Sequence, residues 1–317
     1  MAELSHRPLR ELIESFGGAN GASGADEYFT EMISAGAFVA RGPFEPWYAD
    51  GGPCPGKVVY QLTGGDPGRL AEAAGLLDRL ECLGIDINMG CSAPAITRTG
   101  AGIRWMESID KAGKLIEMVR KPVKKRLSVK LRLGAGKPGT VDFDYLVRFC
   151  RRLEEAGVEL ITLHPRLGGE KFRRRARWEY VSALRKELRI PLAGNGDIAS
   201  GAEMRRRAED CDAVMIGRLA VRQPWVFAGA PGADIDTDIN IEETGLKFLG
   251  FLAKYQPPEF HLSRARRFFG YFCDNLKWGN YVKTLLNREQ NLAGTERAWQ
   301  GYFVEHPEER LPAPHLD

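Results

Sequence analysis

Lys57-Val58-Val59-Tyr60-Gln61-Leu62, the amphipathic stretch Gly68–Leu83 and Ile85-Asp86-Ile87-Asn88-Met89 read as strand, helix and strand in immediate succession. Both strands are nearly continuous apolar runs, the signature of strands covered on both faces. Parallel pairing needs a crossover of a dozen residues or more, and the helix supplies it. The same unit recurs outward from this stretch. Further strands are expected at Glu27–Ile33, Leu127–Arg132, Leu160–His164, Ile190–Asn195 and Ala213–Ile216, with helices at Ile109–Val119, Asp142–Ala156 and Gly201–Glu209. Seven strands alternating with helices fit a parallel (β/α)8 TIM-type barrel better than an open doubly wound sheet. The expected catalytic domain spans residues 1–233. Its first strand is missing, because the helix Arg7–Phe16 should follow one and only six residues precede it.

From about Asp234 the strand-like runs stop. Helices are expected at Ile241–Tyr255, Leu262–Leu276, Tyr281–Glu289 and Gly294–Phe303, separated by Pro257-Pro258, Gly279 and the stretch from Asn291 to Gly294. They predict a second, α-helical domain over residues 241–306, joined through the polar linker Asp234–Asn240. Gly17–Gly24 is expected to be a flexible loop, and Pro307–Asp317 a loose tail. Gly134-Ala135-Gly136-Lys137-Pro138-Gly139-Thr140 lacks the spacing of a phosphate loop.

Bulk composition removes several function classes. No apolar run approaches the roughly 20 residues that cross a bilayer, and the N-terminus lacks a secretory pattern. The six cysteines are scattered, with neither a disulfide framework nor a paired metal-binding spacing. A reduced, cytoplasmic, monomeric protein without a metal is expected. Net charge is only +3, too small by itself to announce a nucleic-acid partner. Local clusters say more. Arg173, Arg174, Arg175 and Arg177 form a dense basic run around Phe172, and Arg264, Arg266 and Arg267 form another. Arg205-Arg206-Arg207 reads as solvated surface only.

In this fold the reactive groups lie at the C-terminal ends of the strands. Those ends carry Gln61, then Asp86-Ile87-Asn88-Met89-Gly90-Cys91, Lys130, Arg132, His164-Pro165-Arg166, Asn195-Gly196-Asp197 and Gly217-Arg218. Polar side chains in apolar strands cost free energy unless satisfied, so their recurrence at one rim points to a polar ligand. The glycines after the last two strands can cradle an anion with backbone N–H groups, and Arg218 can add a bidentate contact. Lys130 can set positive charge against an electron-rich ring. The set suits a flat, phosphorylated cofactor such as FMN. A lone cysteine is most often a buried structural residue, and Cys54, Cys82, Cys150, Cys211 and Cys273 are read so. Cys91 differs, because it follows Asn88 and Gly90 at a strand end. An ordinary thiol, with a pKa of about 8.5, is mostly protonated near neutrality and can donate.

The ordered set Val59-Tyr60-Gln61-Leu62-Thr63-Gly64, Asp86-Ile87-Asn88-Met89-Gly90-Cys91, Val129-Lys130-Leu131-Arg132-Leu133-Gly134, Asn195-Gly196-Asp197-Ile198 and Met215-Ile216-Gly217-Arg218, with Pro224-Trp225 beyond, resembles the tRNA-dihydrouridine synthase family. The resemblance runs from about Ser5 to Phe227, and the helical region resembles that family's tRNA-binding domain. It implies FMN contacts from Gln61, Lys130, His164, Asn195, Gly196, Asp197, Gly217 and Arg218. It implies Cys91 as proton donor to uracil C5, with hydride from a flavin reduced by NADPH reaching C6. Asn88 and Phe172 are implied contacts to the base, and Arg173, Arg174 and Arg175 to tRNA. Phe172 stands where the family usually has Tyr, and Ser92 where it has Pro. The resemblance also implies a first strand ending in Ala-Pro-Met, of which Met1 would be the methionine. The favoured expectation is a start placed too late, with real loss of the strand as its rival. Rival functions are another FMN barrel oxidoreductase acting on a free pyrimidine, which would not need the basic helical region, and a non-catalytic RNA-binding relic.

Overall fold

The computed structural model describes residues 3–17, 24–136, 139–170, 174–228 and 239–312. They form two compact units, one of Glu27–Gly217 and one of Met1–Asp26 with Arg218–Asp317.

The first unit is the parallel α/β barrel-type sheet. Its strands are β1 (Tyr28–Phe29), β2 (Ile33–Ser34), β3 (Val58–Thr63), β4 (Gly84–Met89), β5 (Arg126–Arg132), β6 (Leu160–His164), β7 (Leu192–Asn195) and β8 (Ala213–Met215). Every ladder is parallel, and the path runs from β1 and β2, both on β3, to β8. Among the described residues β8 makes no ladder with β1, so the sheet is a half-barrel. The expected strand Glu27–Ile33 is a correction: only Tyr28–Phe29 and Ile33–Ser34 pair with β3. Between them Thr30 turns its hydroxyl to the N–H of Gln61 at 3.0 Å, and side-chain bonding replaces part of the ladder.

The crossover helices begin at sequence-encoded caps. Asp66, Ser108, Asp142 and Ser200 each accept from the backbone N–H three residues on, which satisfies a donor that the helix leaves free. The helix expected at Gly68–Leu83 runs over Pro67–Asp78, with proline at its first position.

Period two and the ladder registers sort the strand residues onto two faces. One carries Tyr60, Leu62, Ile85, Ile87, Met89, Leu127, Val129, Leu131, Ile161 and Leu163, the apolar surface that the helices cover. The other carries Gln61, Thr63, Asp86, Asn88, Ser128, Lys130, Arg132, Thr162, His164 and Asn195. A barrel interior is normally filled by Val, Ile and Leu. Here the concave face carries Val59, Leu160 and Ala193 but also polar residues on every strand from β3 to β7.

The second unit is helical, with helices at Arg7–Glu14, Arg218–Arg222, Ile241–Tyr255, Pro258–Phe272, Gly279–Asn287 and Leu292–Glu305. Its core is aromatic: Phe248 stacks on Phe268 with centroids 3.7 Å apart, and Trp299 lies against Phe269 at 4.8 Å. Gly245 makes this possible, because a Cβ there would come within 2.5 Å of the Trp299 ring. The Arg7–Glu14 helix packs into the same unit, where His6 meets Phe248 and Phe16 meets Trp225. The helix expected from Leu262 begins at Pro258, again at a first helical position. Pro307–Arg310 of the expected loose tail forms a short 3-10 turn. Arg264 is not part of a basic surface. It is 1% exposed, bonded to Gln256 Oε1 and set over the Phe260 ring. No helix among the described residues is long and apolar enough to cross a membrane.

Candidate active site

The parallel ladders bring the strand ends to one rim. Gln61 pairs in register with Asp86, Asn88 with Lys130, and Arg132 with His164. Asn195 ends β7, Gly196 and Asp197 follow it, and Gly217 closes the unit. Arg218 begins a helix of the other unit and is exposed. Phe172 and Arg173 lie outside the described residues, while Arg174 and Arg175 are exposed on the segment after β6.

Cys91 sits half-buried on the loop after β4. Its N–H donates to Asn88 Oδ1 at 2.9 Å and its carbonyl accepts from Ile103 N at 3.0 Å. Gly102, at φ +62, lies so close that a Cβ there would stand 2.4 Å from the Cys91 oxygen. The loop is thus clamped on both sides of the thiol. Asn88 also accepts from Gly90 N, and its Nδ2 donates to Gln61 Oε1 at 3.0 Å. Gln61 Nε2 donates in turn to Asp86 Oδ2 at 2.8 Å.

Two ionisable groups on this face are strongly perturbed. Burial pushes the Asp86 carboxyl up to about 6, against hydrogen bonds from Ser128 and Gln61 and the charges of Lys130 and Arg126. Burial also pulls Lys130 down to about 8, with Asp86 and Cys91 acting the other way and Arg132 adding to the fall. Perturbed groups lining one concavity mark a functional site. The hydroxyls of Thr63 and Thr162 on the same face are buried without a hydrogen-bond partner.

Asp86 leads to a pH prediction. Its folded value lies above the ordinary carboxylate 3.8, so its stabilising contribution is complete below about 3.8 and lost as pH rises through about 6. Lys130 has a depressed value, and its contribution is lost as pH falls toward about 8, outside that window. Asp86→Asn removes the titration. Its unfolding free energy, from urea titrations, should therefore gain on the parent's between about pH 4 and pH 7, by an amount on the order of 3 kcal/mol. A difference that stays constant across this window would contradict the assignment.

The β6 and β7 ends are joined by Arg166, 1% exposed. Its guanidinium meets His164 Nε2 at 2.8 Å, the Arg174 carbonyl at 2.6 Å and Asp197 Oδ2 at 2.5 Å. Asp197 also accepts from Ala176 N. Gly196, at φ +123, has no room for a side chain: a Cβ would stand 2.8 Å from the His164 ring. The amide of Asn195 donates to Met215 O and ties β7 to β8. Glu170, buried, accepts from Arg177 at 2.6 Å. Arg207, read from sequence as surface, lies over the Trp178 ring at 4.7 Å and pairs with Glu203 and Asp210.

Asp86, Ser128 and Arg166 were given no role from sequence. The available signal was the cost of a charge in a buried strand, which requires partners on the neighbouring strands.

A parallel half-barrel with a polar concave face and a clamped thiol at its rim is the framework of a barrel enzyme. The sequence model described as dihydrouridine synthase (Dus) matches residues 1–255. The chain belongs to the dihydrouridine synthase family. A "Probable tRNA-dihydrouridine synthase" of Aquifex aeolicus is 32% identical over 234 residues, covering 72% of this chain and 69% of that protein. That of Rhodobacter capsulatus is 29% identical over 286 residues, covering 86% and 84%. The "tRNA-dihydrouridine synthase B" of Pseudomonas aeruginosa is 26% identical over 319 residues, covering 96% and 91%. Making dihydrouridine from uridine adds two hydrogens across a carbon–carbon double bond, so the family's enzymes are oxidoreductases.

Proposed function

We propose that this chain reduces the C5–C6 double bond of uridines in tRNA, using bound FMN and NADPH as reductant. The observation that carries the reading is the Cys91 thiol, held on a clamped loop at the mouth of a polar half-barrel. The relatives' names supply tRNA as the substrate class.

The concave face fits a flat, anionic cofactor. It offers a Lys130 cation, buried hydroxyls of Thr63 and Thr162 that lack partners, and a glycine at 196 that keeps its backbone bare. Gln61, Lys130 and His164 are assigned to the ring system, and Asn195, Gly196, Asp197, Gly217 and Arg218 to the phosphate end. When bound and reduced, the flavin supplies the hydride that uracil receives at C6. Cys91 donates its Sγ proton to C5, so that hydride and proton together complete the reduction. Asn88, with both ends of its amide engaged, holds the loop and orients its remaining N–H toward the base. Phe172 is assigned to that base.

Chemistry on a base in folded RNA requires the base to leave its stack, and phosphate contacts must hold the strand meanwhile. Arg173, Arg174 and Arg175 are assigned to them. Changing all three to Gln should weaken tRNA binding and reduce the slope of log affinity against log salt by up to about 2–3, since each lost phosphate contact removes about 0.7–0.9. Flavin content should stay the same. An unchanged slope would make the run a solvated face.

Lys130→Met should release flavin. A hydrogen bond to a charged group is worth about 1.5–3 kcal/mol, so flavin should bind about tenfold or more weakly. Arg218→Ala should act in the same direction. Full flavin occupancy after gel filtration of both variants would reject these cofactor contacts.

A further inference from the structure

The mechanism above leaves Asp86 without a task, although it is fully buried on β4. A carboxylate there is costly unless both oxygens are satisfied. They are: Oδ1 accepts from Ser128 Oγ at 2.7 Å and Oδ2 from Gln61 Nε2 at 2.8 Å. Gln61 Oε1 accepts from Asn88 Nδ2, and Asn88 Oδ1 accepts from the N–H groups of Gly90 and Cys91. We propose that Asp86 is a positioning residue for the proton donor, fixing through the side-chain amides of Gln61 and Asn88 the place where Cys91 is held. This rests on Cys91 being the proton donor.

The direction of the chain carries the inference. A backbone N–H can only donate, so Asn88 must turn its oxygen to the loop. Its NH2 then faces Gln61, which must answer with an oxygen. The NH2 of Gln61 is thereby turned to residue 86, and that position must offer an acceptor. With an acceptor there, one orientation of both amides is satisfied throughout. Without it, a flipped Gln61 sets NH2 against NH2, and a flipped Asn88 sets NH2 against the N–H of Cys91. A partly satisfied polar network is worse than none.

The requirement is for an acceptor, not for a charge. Asparagine at 86 can keep its oxygen toward Gln61 and its NH2 toward Ser128 Oγ, whose proton can then turn to the Ile85 carbonyl, 3.5 Å away. Leucine, of similar volume, offers nothing. The ladder places Gln61, Asp86 and Ser128 in one row across β3, β4 and β5, so the relay is built on rigid strands and only its last member touches a loop.

The test reads the Cys91 thiol directly. The purified full chain is treated with iodoacetamide, and alkylation of Cys91 is followed by peptide mass mapping with Cys54 of the same chain as reference. Asp86→Leu should change the Cys91 rate several-fold relative to Cys54. It should also lower kcat for dihydrouridine formation about tenfold to a hundredfold, as misplacement of a reacting group does, with a smaller change in KM for tRNA. Asp86→Asn should restore both. If Asp86→Leu does not yield soluble protein, Asp86→Ala removes the same acceptor and should shift the Cys91 rate alike. The proposal is overturned if the relay-breaking variant leaves the Cys91 rate unchanged, or if Asp86→Asn is as impaired as Asp86→Leu. Full activity of Cys91→Ala would instead reject Cys91 as proton donor, and the alkylation rates would still report whether the relay positions the loop.

Discussion

Cys91→Ala should form dihydrouridine about 10²–10⁴ times more slowly than the parent, the range spanned by loss of a positioned proton donor, with flavin content unchanged. The backbone explains why the loss should be confined to chemistry. The loop is held through the Cys91 N–H and carbonyl, by Asn88 and Ile103, and alanine keeps both contacts. The side chain is half-buried, so little packing is lost. Reduction of the flavin by NADPH does not use the thiol and should continue. Single-turnover formation of dihydrouridine, measured by mass spectrometry of digested tRNA, is the readout, with flavin absorbance beside it. An alanine variant as fast as the parent would remove Cys91 from the mechanism.

The second large effect is expected on stability. Arg166→Met should lower the unfolding free energy of the Glu27–Gly217 unit by about 3 kcal/mol, the lower end of what breaking a buried ion pair costs. Arg166 is buried and bonds to His164, the Arg174 carbonyl and Asp197. Methionine fills much of the space but offers Asp197 Oδ2 no donor in place of the guanidinium. Asp197 is 30% exposed, which moderates the penalty. It also sits at φ +53, a conformation that its surroundings must hold. Against typical total stabilities of roughly 5–15 kcal/mol, the loss should show as a clear fall in urea midpoint, and flavin retention should fall with it. An unchanged midpoint would mean that Arg166 is not the bond between β6 and β7.

The barrel was legible because parallel strands covered on both faces write continuous apolar runs, and the helices between them carry Asp and Ser caps. The helical region was legible for a similar reason, though its prolines misled. Pro258 was read as a separator, yet proline at a first helical position satisfies the same geometry and lengthens the helix. The break in the first strand was not legible, because it depends on Thr30 finding the N–H of Gln61, thirty-one residues away. Charge was the least reliable signal. Arg264 and Arg207 look like surface in sequence, and only the fold supplies the Gln256 oxygen, the Phe260 and Trp178 rings and the carboxylates that engage them. Within the site, the rim residues could be named from strand ends. The relay from Asp86 to Cys91 needed the register of three strands, which no single segment encodes.

The central claim is that this chain reduces tRNA uridine with a bound flavin and a thiol proton donor. It is tested by mixing the purified, NADPH-reduced protein anaerobically with unmodified tRNA transcript, while following flavin absorbance and the mass of released nucleosides. The prediction is reoxidation of the flavin on addition of tRNA and a uridine heavier by two hydrogen atoms, with free uracil or uridine giving neither. A chain that purifies without flavin, or a reduced flavin reoxidised by the free pyrimidine and not by tRNA, would contradict it.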